Sequence, residues 1–327
     1  MTKIDIISGF LGAGKTTLIK KLINEAFKGE KLVLIENEFG EIGIDGGFLK
    51  DAGIEITEMN SGCICCSLVG DFGKALKQVL TKYAPDRIII EPSGVGKLSD
   101  VIRAVIDIDS HDIKLNSFTT VADAKKCKMY MKNFGEFFNN QIEFAKSIVL
   151  SHTKGMPEEK IAQAAELVRE HNKKATLITT DWDELSGADI LAAMEQRDTL
   201  SESLAELLHE HEHHHHEHGE DCDCGCHDHE HEHHHHHHAD EVFTSYGKET
   251  TKSYTAEEIE NALKALENEE YGMILRAKGI VAGKDGKWIH FDYVPGEPDV
   301  RTGAAAVIGR ICVIGSKLNE QKIEELF

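Results

Sequence analysis

The sequence predicts an α/β fold, in which a doubly wound, largely parallel sheet is followed by a smaller α+β domain. Short β-branched apolar runs alternate with longer amphipathic stretches over roughly the first two hundred residues. A glycine-rich loop separates the first apolar run from the first amphipathic stretch, and the composition changes from about Leu200 onward. We therefore expect three segments, at residues 1–200, 201–240 and 241–327.

The apolar runs predict buried strands and the amphipathic stretches predict helices. In the first segment the expected strands are Ile4–Ile7, Leu32–Ile35, Arg87–Ile90, Ser117–Val121, Ser147–Leu150 and Thr176–Ile178. The helices expected between them include Thr16–Phe27, Asp71–Lys82 and Glu158–His171, and a helix-like stretch follows at Leu200–Leu208. The last segment predicts strands at Tyr271–Val281, Trp288–Tyr293 and Ala304–Ile314, with helices at Ala256–Asn268 and Asn319–Leu326.

Composition limits the classes of partner. The 327 residues carry a formal charge of -21, which argues against nucleic acid, because binding to phosphates requires clustered Lys and Arg. The chain has no signal-like N-terminus and no apolar stretch that could span a bilayer, so we expect a cytoplasmic protein with no membrane partner. In that reducing compartment clustered cysteines indicate metal or redox chemistry, whereas isolated Cys127 and Cys312 are expected to be buried as small hydrophobes.

The loop after the first predicted strand has the pattern G-x-x-x-x-G-K-[ST]. Glycines allow consecutive backbone N–H groups to point at a polyphosphate, a lysine reaches the β and γ phosphates, and the hydroxyl of Thr16 ligates Mg²⁺. A strand before the loop and a helix after it are the context of a P-loop NTPase. The expected nucleotide-binding residues here are Gly9, Gly12, Ala13, Gly14, Lys15, Thr16 and Thr17.

Glu91 comes directly after the apolar run Ile88–Ile90 and is followed by Pro-Ser-Gly. In a doubly wound sheet the carboxyl ends of the strands form the ligand-binding edge. Glu91 is therefore expected near the γ-phosphate, where it would orient the attacking water or bind the Mg²⁺ shell. With Lys15 it forms the candidate catalytic pair, although an acid after a strand is by itself usually a solvated residue.

Cys63, Cys65 and Cys66 lie within four consecutive positions, between Glu36 and Glu91 in the sequence. Three thiolates so close together cannot complete a conventional zinc finger, so a metal site here would be open or completed by a carboxylate. A redox pair is a second interpretation and simple burial a third; the spacing differs from the C-x-x-C of thioredoxin-like motifs.

Four ordered motifs together resemble the CobW-like metallochaperone GTPases, relatives of the nickel-insertion GTPases: GFLGAGKTT at 9–17, ENEFGE at 36–41, GCICC at 62–66 and EPSG at 91–94. The segment ILRAKG at 274–279 resembles the second domain of that family. The resemblance implies a slow, metal-modulated GTPase that carries Zn²⁺, or Co²⁺ or Ni²⁺, to a client protein. It also implies a metal site formed by Cys65, Cys66 and Glu36, with Cys63 as a third thiolate. Besides the complex with a client protein, a homodimer is a second candidate assembly for this chain.

One departure concerns the base of the nucleotide. The family's guanine-reading Asn-Lys-x-Asp corresponds here to Ser151, His152, Thr153 and Lys154. The carboxylate that would accept two hydrogen bonds from guanine is thus replaced by Lys154. Either another residue of the pocket compensates and GTP is still preferred, or selectivity is relaxed toward ATP; we expect GTP.

Residues 209–238 comprise sixteen His and nine acidic residues around three cysteines. A segment with so few apolar residues cannot pack a core and is typical of a compositional metal binder, which would store metal or collect it for the internal site. Its candidate ligands include Cys222, Cys224, Cys226 and His227.

Two classes of function follow. In the first, nucleotide hydrolysis controls the delivery of metal to a client protein. In the second, the protein stores or senses metal, and its nucleotide site acts only as a conformational switch.

Overall fold

The computed structural model describes residues 1–37, 55–59, 69–108, 111–195 and 239–327. Seven strands form the first sheet in the order β3-β2-β4-β1-β5-β6-β7. Every register pairing in it is parallel, which confirms the doubly wound α/β class. The strands are β1 (Thr2–Gly9), β2 (Leu32–Asn37), β3 (Glu55–Met59), β4 (Arg87–Glu91), β5 (Ile113–Asp123), β6 (Ser147–Ser151) and β7 (Thr176–Ile178).

Helices cover both faces of this sheet because its strands are apolar on both sides. One face packs on α1 and α6 through Leu18, Leu22 and Ile190. The opposite face packs on α2 to α5 through a larger cluster that includes Leu76, Ile102 and Phe138. The helices are α1 (Lys15–Glu25), α2 (Val69–Tyr83), α3 (Leu98–Ile106), α4 (Cys127–Glu143), α5 (Glu158–His171) and α6 (Gly187–Met194).

The second unit is a six-stranded sheet in the order β12-β11-β10-β13-β8, with β9 paired to β10. The short helix α7 (Ala239–Val242) precedes it, and α8 (Ala256–Ala265) and α9 (Glu320–Leu326) accompany it. It is thus the smaller α+β unit that the sequence predicts. The strands are β8 (Thr244–Thr250), β9 (Ser253–Tyr254), β10 (Met273–Gly283), β11 (Trp288–Val294), β12 (Glu297–Gly303) and β13 (Gly309–Ser316).

The two faces of this second sheet pack on different partners. Ile311 and Val313 contact its own helices in one buried cluster. Leu275, Cys312 and Ile314 belong instead to the large core cluster of the first unit. The second sheet therefore lies directly against the first unit.

Several element predictions need correction. Strands β3, β8, β9 and β12 were not expected, and β13 begins at Gly309 rather than Ala304 because its register with β8 starts only there, at Thr250. Helix α8 ends at Ala265, since the following N–H groups of Glu267 and Asn268 form i to i−3 bonds that close the last turn tightly. Cys127 and Cys312 are both buried, as predicted.

Two further predictions concern the segment after residue 199 and membrane-spanning helices. The helix-like stretch Leu200–Leu208 and the His-rich insert lie outside the described residues. Among the helices that the structure describes, none combines the length and the apolar content needed to cross a lipid bilayer.

Candidate functional site

The glycine-rich loop joins β1 to α1 at the carboxyl edge of the sheet. Gly9, Gly12 and Gly14 have φ angles of 147°, 73° and 96°, in the region that favours glycine. At Gly9 a Cβ atom would lie 2.3 Å from the carbonyl oxygen of Val121. The loop therefore needs glycine at these positions. Ala13 lies within it, and Thr17 belongs to α1.

Lys15 and Thr16 begin α1, so their backbone N–H groups lie at the positive end of the helix dipole. The Lys15 side chain is buried, and its Nζ donates to the carbonyl oxygen of Gly9 at 3.0 Å. It thus folds back over the loop in which phosphates would bind. The loop geometry and the lysine fit a polyphosphate.

Glu91 contacts Thr16 directly. The Thr16 Oγ1 donates to the Glu91 carboxylate, at 3.2 Å from Oε1 and 3.4 Å from Oε2. Hydroxyl and carboxylate oxygens are ligands of the kind Mg²⁺ binds alongside phosphates, so these two side chains fit a Mg²⁺ site. The segment that follows β4 also contacts the loop, because a Cβ at Gly94 would lie 2.9 Å from the backbone nitrogen of Leu11.

Glu36 is the register neighbour of Glu91. Strands β2 and β4 pair in parallel with Glu36 opposite Glu91, and β2 pairs on its other side with β3. Adjacent strands are about 4.8 Å apart, and paired residues project from the same face. Glu36 is buried at 5% exposure. A predicted metal ligand and a predicted catalytic acid therefore lie side by side at one edge of the sheet.

The other predicted metal ligands cannot be placed. Cys63, Cys65, Cys66, Cys222, Cys224, Cys226 and His227 lie outside the described residues. The strand that precedes the first cysteine cluster, β3, ends at Met59, whose register partner is Asn37, the residue after Glu36.

The segment Ser151–Lys154 follows β6 and reaches toward the loop. Ser151 is buried at the strand end, and His152 has a left-handed φ of 57°. The His152 Nε2 lies 3.3 Å from the carbonyl oxygen of Gly12. The structure thus brings the predicted base-reading segment against the phosphate-binding loop.

A second segment, the loop after β7, lies at this position and was not predicted from the sequence. The Thr153 Oγ1 donates to Asp181 Oδ2 at 3.4 Å, and the Lys154 Nζ donates to Asp183 Oδ2 at 2.8 Å. The latter bond holds the pKa of Asp183 below its usual range and raises that of Lys154. Trp182 covers the start of α1, since a Cβ at Gly14 would lie 2.9 Å from its ring. The carboxylates of Asp181 and Asp183 therefore lie beside Ser151–Lys154, the segment that has no aspartate of its own.

A cavity of about 290 Å³ opens beside the loop. The first unit lines it with Gly14, Lys15, Thr16 and Glu91, and the second unit supplies residues of β10, β11 and β12. No sequence signal indicated the second contribution, because these residues are more than 180 positions from Glu91. Those residues are Arg276, Asp292, Tyr293, Val294, Glu297, Asp299 and Arg301.

Comparison with known families gives two matches. Residues 3–179 match the family described as "CobW/HypB/UreG, nucleotide-binding domain". Residues 243–327 match the "Cobalamin synthesis protein cobW C-terminal domain". Together the two matches include all but the first two residues and the segment 180–242.

Curated relatives match over shorter stretches. The chain is 41% identical over 128 residues to the zinc chaperone CobW of Sinorhizobium sp, covering 36% of each chain. It is 41% identical over 102 residues to the zinc chaperone YeiR of Escherichia coli, covering 31% of each. With the zinc chaperone YjiA of Escherichia coli it shares 32% identity over 160 residues, covering 46% of this chain and 49% of the relative. The matches thus span about a third to a half of these relatives.

Among solved structures, that of Zn(II)-bound YjiA GTPase from E. coli aligns with a TM-score of 0.42 and 20% identity, covering 100% of this chain and 98% of the other. HypB from Helicobacter pylori in complex with nickel aligns with a TM-score of 0.43 and 16% identity, covering 63% and 89% of the two chains.

Proposed function

Because the chain belongs to the CobW/HypB/UreG nucleotide-binding family, we propose that it is a GTP-hydrolysing metallochaperone. It would bind GTP with Mg²⁺, carry Zn²⁺ as cargo, and deliver the metal to a client protein in the cytoplasm. The names of its relatives support this proposal, since three of them are called zinc chaperones. Co²⁺ and Ni²⁺ suit the same ligand types, so the sequence does not by itself select zinc.

The observation that carries the proposal is the register pairing of Glu36 with Glu91. Glu91 contacts Thr16 at the phosphate end of the loop, and Glu36 is the carboxylate assigned to the metal. A displacement of β4 on nucleotide binding would also displace β2, because backbone hydrogen bonds join the two paired strands. Nucleotide and metal would then bias one conformational equilibrium.

The roles of the phosphate-side residues follow from their positions. The Lys15 ammonium would bind the β and γ phosphates, and the Thr16 hydroxyl with the Glu91 carboxylate would hold Mg²⁺, which neutralises phosphate charge when bound. Glu91 would also orient the attacking water, since its second carboxylate oxygen lies 3.4 Å from Thr16 Oγ1, beside the same phosphate-binding loop. The two roles predict different magnesium dependence.

The cargo site would combine the buried Glu36 with the thiolates of Cys63, Cys65 and Cys66. Thiolate and carboxylate ligands suit Zn²⁺, and a site with an open position suits release to a client. The insert ligands Cys222, Cys224, Cys226 and His227 would form a separate, weaker metal store.

The test measures zinc affinity of the full chain by competition with a chromogenic chelator, in the presence of a non-hydrolysable GTP analogue or GDP. We expect the two affinities to differ by about 5- to 150-fold, the usual range of coupling between sites. Cys65→Ser with Cys66→Ser should abolish the difference and leave the zinc bound by the insert. Equal zinc affinities in the two nucleotide states, with no GTP turnover, would instead favour a store or sensor.

The nucleotide preference would depend on Asp181. Its carboxylate is oriented by Thr153 Oγ1 and by the backbone N–H of Asp183, whereas the Asp183 carboxylate is exposed and paired with Lys154. A carboxylate accepts the N1–H and 2-amino protons of guanine, and adenine carries no proton at N1. We propose that Asp181 replaces the missing aspartate of the Asn-Lys-x-Asp pattern.

Asp181→Asn is expected to lower the ratio of GTP to ATP affinity by about 10- to 100-fold, because hydrogen bonds to a charged group contribute about 1.5–3 kcal/mol. Competition against a fluorescent GTP analogue measures the ratio. Asp183→Asn, in the same loop, is the matched control and should change it by less than about twofold. Equal affinities of the unaltered chain for ATP and GTP would overturn the GTP assignment.

A further inference from the structure

The second sheet packs tightly on the phosphate-binding loop. A Cβ at Gly12 would lie 2.3 Å from Cγ1 of Val294, which ends β11. The ring centroids of Phe10, in the loop, and Phe243, just before β8, are 6.1 Å apart. Leu275 and Ile314 of the second sheet belong to the same buried cluster as these two rings. One wall of the nucleotide cavity is therefore built by the C-terminal unit.

Two arginines of that wall line the same cavity as Lys15 and Thr16. Arg276 on β10 pairs with Asp292 on β11, with its Nη2 3.3 Å from Asp292 Oδ2. Arg301 on β12 pairs with Asp299 on the same strand. The side chains of both arginines are partly exposed, at 19% and 38%. Each guanidinium is thus held at the cavity by a carboxylate that is itself open to solvent.

The charge balance of the cavity would allow phosphate oxygens to replace the aspartates as partners of the two arginines. Four basic and four acidic residues line the cavity, so a nucleotide polyphosphate adds a large excess of negative charge. A guanidinium binds phosphate oxygens through two parallel N–H donors, a stronger arrangement than a partly exposed pair with aspartate. Phosphates in the cavity would therefore compete with Asp292 and Asp299 for the arginines.

We propose that Arg276 and Arg301 bind the terminal phosphates of the nucleotide held by the P-loop, so that the C-terminal domain senses whether the γ-phosphate is present. The proposal rests on the proposed nucleotide-binding function and adds to it a second domain acting within the same chain. Arginines aimed at transferring phosphates also stabilise the charge that develops during hydrolysis.

The test uses the full chain with Mg²⁺, and it measures the affinities of a non-hydrolysable GTP analogue and of GDP by isothermal titration calorimetry. Arg276→Gln with Arg301→Gln is expected to weaken binding of the analogue at least about tenfold, and binding of GDP less, which reduces the preference for the triphosphate. Arg310→Gln is the matched control, because Arg310 belongs to the same sheet and pairs with exposed Glu249 at 3.5 Å. It should leave both affinities unchanged.

A second variant separates phosphate binding from a structural role of the ion pairs. Asp299→Asn removes a negative charge from the cavity together with the ion pair to Arg301, so it should tighten binding of the analogue by several-fold. If it weakens binding as the arginine variants do, the pairs only maintain the fold and the proposal is wrong. The proposal also fails if the double arginine variant binds both nucleotides like the unaltered chain. Failure of the unaltered chain to bind either nucleotide would instead refute the proposed function.

Discussion

Replacing Glu91 by glutamine is expected to lower the rate of GTP hydrolysis by about 10²- to 10⁴-fold, the usual contribution of a positioned acid or base. Glutamine keeps the shape of the side chain and can still accept the hydrogen bond from Thr16 Oγ1. It removes the negative charge that would orient water or hold Mg²⁺. GTP binding should change much less, because Lys15 and the backbone N–H groups of the loop remain.

Single-turnover hydrolysis and nucleotide affinity, each measured across Mg²⁺ concentrations, check this result. If Glu91 acts mainly on the Mg²⁺ shell, added Mg²⁺ should recover part of the rate; if it orients water, it should not. Glu143→Gln is the control, since Glu143 lies on the surface of α4 and pairs with His171 at 3.0 Å. Hydrolysis by Glu91→Gln at the unaltered rate would exclude both roles.

Local patterns explain why the phosphate side of the site could be predicted from the sequence. The glycine pattern reflects backbone angles that only glycine adopts easily, and Gly9, Gly12 and Gly14 have such angles. Glu91 could be placed near Thr16 because the carboxyl ends of parallel strands share one edge. Strand β3 was missed because its five residues, Glu-Ile-Thr-Glu-Met, are short and half polar, and its stability depends on pairing with β2.

Contacts between distant segments account for what could not be predicted. The departure from Asn-Lys-x-Asp was visible in the sequence, but the pairing of Thr153 with Asp181 depends on how two loops meet at the sheet edge. Arg276 and Arg301 likewise reach the cavity only because the second sheet packs on Phe10 and Gly12. Periodicity identifies which face of a strand is buried, and it does not identify the domain that covers that face.

Arg87 is the clearest case of a residue whose environment differs from its pattern, since the sequence places it only at the start of an apolar strand. Its side chain is 1% exposed and pairs with Asp5, which is fully buried. The guanidinium also binds Glu30 at 2.6 Å and Glu195 at 3.1 Å. Burial alone would lower the pKa of Arg87, but its bonds to Glu30 and Asp5 outweigh burial and raise it. This network ties β1, β4, the loop before β2 and the end of α6 together.

Replacing Arg87 by methionine is therefore expected to destabilise the protein by about 3–5 kcal/mol, because it leaves the Asp5 carboxylate buried without its countercharge. Asn116 and Ser117 still donate to Asp5, at 2.8 and 2.5 Å, but they are neutral. The midpoint of urea unfolding, followed by circular dichroism, measures the loss. Arg310→Met removes a half-exposed ion pair and should cost less than about 1 kcal/mol. Asp5→Asn combined with Arg87→Met should recover much of the stability, since no isolated charge then remains buried. A loss as small as that of Arg310→Met would show that Asp5 does not need the guanidinium.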